Sequence, residues 1–84
     1  MGITEEWKDI KYRETFDDET RGLERRREYD KALKIEDLEG TLKNLYIIEG
    51  ADNEGRGRLQ DIIITARIAA YERYISLWKK EISS

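Results

Sequence analysis

The stretch Gly50-Ala51-Asp52-Asn53-Glu54-Gly55-Arg56-Gly57-Arg58 gathers glycines, carboxylates and guanidinium groups within nine residues. Three chemistries use such a set. A phosphate-binding loop needs Lys after its second Gly and then Ser or Thr, so that an ammonium and a hydroxyl meet phosphate and magnesium. Here Gly55 is followed by Arg56 and Gly57, and that pattern is absent. A calcium loop aligned on Gly55 puts Gly50 where the first carboxylate ligand belongs, which removes a charge that calcium requires. A plain anion site remains: Gly55 and Gly57 free backbone amides, Arg56 and Arg58 add positive charge, and a helix begins there. The simpler reading is a corner between two helices, because short Gly/Asn/Asp clusters are the ordinary signature of turns.

Arg21 and Arg25-Arg26-Arg27 are the second candidate. A row of arginines can hold phosphates. Glu24 and Glu28 flank this one, and Asp17, Asp18 and Glu19 lie close by. On a helix that mixture forms a solvated face with intrahelical pairs. A nucleic-acid-associated regulator using these arginines is therefore the alternative rather than the leading expectation. The overall charge agrees: 42% of residues are charged, yet the net charge is −3. A dedicated nucleic-acid binder carries a basic excess.

Catalytic groups are scarce. The chain has no His and no Cys, which removes the commonest general base and the strongest nucleophile. It also removes structural zinc, disulfides and the Glu-x-x-His motifs of a di-iron bundle. Paired-carboxylate chemistry needs two acids with separated pKa values in one cleft. The acids here are spread through polar stretches. The expectation is a non-enzyme with no metal and no cofactor. The N-terminus, MGITEEWKDI, is acidic and lacks the apolar segment of a secretory signal. No run approaches the roughly 18 apolar residues of a membrane span. A cytoplasmic location without membrane contact follows as an expectation.

The elements that would position these groups can be read from periodicity. With 84 residues the chain forms one domain, and a domain that small gains from good helix packing or oligomerisation. Residues 1–37 hold 11 apolar side chains and residues 38–84 hold 21, so the second half must supply most of the core. Ile35, Leu38, Leu42 and Leu45 recur on one helical face, which predicts a helix over 35–49. Gly50 suits a left-handed cap at its end. Residues 58–82 contain no Gly or Pro and predict a longer helix. That helix carries two apolar stripes. Ile64, Ile68, Tyr71, Ile75, Trp78 and Ile82 form one, and Leu59, Ile63, Ala66, Ala70, Tyr74 and Leu77 form another about 120° away. Two stripes imply two neighbours. The alanines suit close approach, so the second stripe is assigned to the 35–49 helix in an antiparallel hairpin. Arg67 lies between the stripes, with its stem on isoleucine and its guanidinium reaching for a carboxylate.

Residues 1–34 form a charged N-terminal segment, partly helical or mobile. Thr4-Glu5-Glu6 can cap a short helix carrying Trp7 and Ile10, whereas Ile10, Tyr12 and Phe16 also fit an extended stretch. Phe16–Leu33 has helical composition but a thin apolar face. The expected fold is all-α, either a homodimer forming a four-helix bundle or a monomeric three-helix bundle. In the first, long helices of two copies meet through Ile64, Ile68, Tyr71, Ile75 and Trp78. In the second, the N-terminal helix covers that stripe. The expected function is a small protein-interaction module, acting as adaptor, inhibitor or accessory subunit through those five residues. Its partner would be a second copy or another protein.

Overall fold

A computed structural model describes residues 2–51 and 58–83, with side chains over 6–50 and 59–83. Three helices follow one another: α1 (Gly2–Tyr29), α2 (Ile35–Ala51) and α3 (Arg58–Ser83). The described residues contain no strand. The fold is an all-α three-helix bundle, one of the two architectures that the apolar periods of α2 and α3 allow. Two local expectations are corrected. Residues 2–29 form one continuous helix, so neither a short capped helix nor an extended stretch around Tyr12 is present. Gly50 lies inside α2 with ordinary helical backbone, so it is not a left-handed cap.

α1 ends four residues earlier than its composition suggests. The Asp30 amide still donates to the Arg26 carbonyl at 2.8 Å, and then the chain turns. Asp30 Oδ1 accepts from the Ala32 amide at 3.1 Å, which is an Asx turn. Lys34 precedes the first residue of α2, and its amide donates to Asp37 Oδ2 at 3.0 Å. That is half of a capping box. Leu33 and Leu38 sit on either side of this start as a hydrophobic staple, and both are buried in the core.

Ion pairs fix the helix directions. Glu19 meets Arg67 and Arg27 meets Glu81, so α1 runs parallel to α3. Glu39 meets Lys79 and Tyr46 meets Glu72, so α2 runs antiparallel to α3. Both α1 and α2 pack on α3, and among the described residues no Cα of α1 lies within 8 Å of one in α2 beyond their short connection. α3 is thus the central element. By the α2 register, Ala51 falls level with about Arg67 at the rise of an α-helix. Residues 58–66 therefore extend past α2, beside the N-terminal half of α1. That leaves Trp7, Ile10 and Leu59 with few neighbours, and all three are exposed.

The core is Leu23 from α1, Leu33 from the turn, Leu38 and Leu45 from α2, and Ile64, Ile68, Tyr71, Ile75 and Trp78 from α3. Ala66 and Ala70 are fully buried as well. The two stripes of α3 do meet two neighbours, but the division differs from the expected one: the isoleucine stripe is shared, with α2 on Ile75 and α1 on Tyr71 and Trp78. Arg67, Tyr74 and Glu81, which α1 engages, project on the side of Ala70. Glu72, Ile75 and Lys79, which face α2, lie on the other side, with Ile68. α2 brings leucines to the isoleucine stripe. α1 brings one buried leucine, Leu23, and meets the flank of α3 that carries Arg67, Trp78 and Glu81, beside the buried Ala70.

Candidate interaction surface

The five residues expected to meet a second copy lie in the core of the single chain. Ile64, Ile68, Tyr71, Ile75 and Trp78 are between 5% and 9% exposed. The internally covered bundle, the second of the two expected assemblies, accounts for their burial within one chain. Part of the stripe is still reached from outside. Between α2 and α3 runs a groove of about 500 Å³, with Leu42 and Ile75 on its floor. On its α3 wall the small side chains of Ser76 and Ser83 lie among the longer Glu72, Lys79 and Lys80. A second groove of about 400 Å³ continues toward the α1–α2 turn, floored by Leu33, Ile35, Trp78 and Ile82. Glu39 and Lys79 line both, and their 2.8 Å ion pair ties α2 to α3 between them. Ile82 is 65% exposed at the far end. The floor is apolar and the walls carry both signs of charge.

The opposite flank of α3 is polar. Along α1, Lys11, Thr15, Glu19, Leu23 and Arg27 recur every four residues as the inward row, and only Leu23 is buried. Arg67 Nε donates to Glu19 Oε1 at 3.2 Å, which is the snorkelling geometry expected from the sequence. Tyr71 lies beneath this pair. Burial raises its pKa above the ordinary 10.0, Glu19 adds to the rise, and Arg67 and Arg26 oppose it. At the top, Arg27 forms two hydrogen bonds to the Glu81 carboxylate, at 3.1 and 3.2 Å. Its guanidinium carbon also sits 4.0 Å from the centre of the Trp78 ring. The hydrogen bonds to Glu81 raise the Arg27 pKa above its ordinary value, with Tyr74 contributing. On the α2 side, a hydrogen bond to Glu72 raises the pKa of Tyr46.

The other sequence candidates are dispersed. Arg21 pairs with Asp18 at 3.6 Å along its own helix, and Arg27 is committed to Glu81 and Trp78. Arg25 and Arg26 are exposed. The candidate anion site at Gly55, Arg56, Gly57 and Arg58 lies outside the described residues, except that α3 starts at Arg58. Among the described residues no cluster of acidic side chains is placed to hold a metal ion, and no helix is long and apolar enough to cross a membrane. The α2–α3 groove was not anticipated. Its one sequence signal is Ser76 and Ser83, a heptad apart and each next to an isoleucine of the stripe.

No protein-family model matches the chain, and no curated protein and no solved structure matches it either.

Proposed function

We propose that the chain is a small, non-catalytic protein-interaction module acting in the cytoplasm. Its contact surface is the α2–α3 groove, through which a partner reaches the C-terminal part of the isoleucine stripe. The observation that carries this is a groove along the helical hairpin where half-buried Leu42 and exposed Ile82 lie beside the buried Ile75 and Trp78. Amphipathic helices bind such grooves by laying apolar anchors along the floor. Charged groups on both walls, Glu39 and Glu72 beside Lys79 and Lys80, would set the partner's register rather than its affinity.

Two substitutions test the proposal. Ile82→Glu puts a charge at the end of the groove floor, where it should abolish partner capture. Leu77→Glu alters an exposed apolar residue, 40% accessible, that lines neither groove, and capture should survive. Equal capture by both variants, or none by the unaltered chain under crosslinking, ends the proposal.

A further inference from the structure

The connection between α1 and α2 is built from the wrong residues for a turn. It reads Asp30-Lys31-Ala32-Leu33-Lys34, with no Gly, Pro or Asn. Ala, Leu and Lys are among the strongest helix formers. Taken as sequence, the helical composition of α1 runs on through Leu33. The turn is imposed by three things: the Asp30 side chain on the Ala32 amide, the Asp37 side chain on the Lys34 amide, and the burial of Leu33. Apart from the turn, α1 and α2 are related only through α3, because among the described residues no Cα of one lies within 8 Å of a Cα of the other.

If the turn becomes helix, α1 and α2 join into one helix over residues 2–51, about 75 Å long at 1.5 Å per residue. α1 then leaves α3. The face it vacates is shaped for α1 and for little else. Ala66 and Ala70 permit a close backbone approach, Arg67 waits for Glu19, and Glu81 and the Trp78 ring wait for Arg27. A second copy of the chain supplies that same α1. We infer that Asp30–Lys34 is a hinge through which α1 exchanges between two copies, giving a domain-swapped dimer beside the closed monomer. Each copy regains every α1–α3 contact in the exchange, so the closed and swapped forms differ mainly at the hinge. The helix preference of Lys31, Ala32 and Leu33 favours the swapped form. The Asp30 and Asp37 bonds and the Leu33 anchor favour the closed one. The exchange leaves the groove floored by Leu42 and Ile75 in place but rebuilds its continuation toward the turn, whose floor includes Leu33 of the hinge.

The test uses the full chain, in which no native cysteine interferes. A Glu19→Cys chain and an Arg67→Cys chain are mixed, incubated at high concentration, and treated with a short bismaleimide. In the swapped dimer these positions meet across chains, so a covalent heterodimer forms. Sedimentation equilibrium is run in parallel on the unaltered chain and two hinge variants. Asp30→Ala/Asp37→Ala should raise the dimer fraction by releasing the turn. Lys31→Gly/Ala32→Gly should lower it, since each glycine weakens the helical hinge about fivefold. Monomer at every concentration in both the unaltered chain and the Asp30→Ala/Asp37→Ala variant overturns the inference. So does a dimer that fails to crosslink 19 to 67 or that is indifferent to the glycines. Should the aspartate variant lose its helical circular dichroism, the crosslink in the otherwise unaltered hinge decides alone.

Discussion

α1 and α2 both pack on α3, but by different physics. The α2–α3 contact is a leucine–isoleucine seam: Leu38 and Leu45 are buried against a stripe of isoleucines. Its charged pairs, such as Glu39–Lys79, lie at the margin. The α1–α3 contact reverses the proportions. One α1 leucine is buried, and the half-buried positions of α1 are polar except Phe16. Apolar burial is worth about 25 cal/mol per Å², whereas an exposed ion pair contributes about 0–1 kcal/mol. By that measure α2 and α3 form the stable unit. α1 is positioned accurately by its charges and held less strongly.

The contrast between the two contacts is greatest at Leu38, which is fully buried. Leu38→Ala should cost about 2–5 kcal/mol and unfold the molecule as a whole, seen as one shifted denaturant transition for all helical signal. Leu23→Ala, the matching change in α1, should cost about 2 kcal/mol. It should also separate α1 from the hairpin, so that helical signal is lost in two steps. A single transition in the Leu23 variant would show that the two contacts are equally cooperative.

Smaller effects probe each contact by itself. Arg27→Ala removes the stack on Trp78 and the bond pair to Glu81, which should cost about 1 kcal/mol and fall mainly on α1. Tryptophan fluorescence should report the change at Trp78. Gly22 and Gly40 sit inside helices, and a Cβ at either would meet no atom within 4 Å. Gly22→Ala and Gly40→Ala should each stabilise by about 1 kcal/mol, measured as a raised denaturant midpoint. In the Leu23→Ala background, the Gly22 gain should appear in the α1 step and the Gly40 gain in that of the hairpin.

For Tyr71 the pH dependence is confined to the alkaline side. Its folded pKa is raised by burial above the ordinary 10.0. The folded state therefore keeps a proton that the unfolded state gives up. This contribution is fully present below pH 10.0 and is lost as pH rises from there through the folded value. Denaturation followed from about pH 9 to about pH 12 should show falling stability, and Tyr71→Phe should flatten the fall. A slope unchanged by Tyr71→Phe would assign the loss to other groups.

Much of this molecule was legible in the sequence. The isoleucine and leucine spacings place α2 and α3 to within about two residues, because a buried apolar face imposes the helical period directly. Arg67 was legible for the same reason, as a long cation between two apolar rows. Which neighbour covers which stripe was not. Ala66 and Ala70 announce a close approach, but any helix can make one, and here the thin α1 does. The break at Asp30 was hidden because Lys31, Ala32 and Leu33 favour helix. The signals that override them, Asp37 three residues after Lys34 and the Leu33–Leu38 staple, are visible once α2 is taken to start at Ile35. The groove could not be read in advance, since it depends on the side-chain volume missing between two particular helices.

That α1 is held to α3 less strongly than α2 is can be tested most directly by native-state hydrogen exchange, resolved by residue at low and high salt. Amides of α1 should exchange through an opening well below the global unfolding free energy. Added salt should lower α1 protection further, while Leu38–Leu45 and Ile64–Trp78 keep theirs. Equal protection across all three helices, unchanged by salt, would contradict this ranking and make α1 an integral part of one cooperative core.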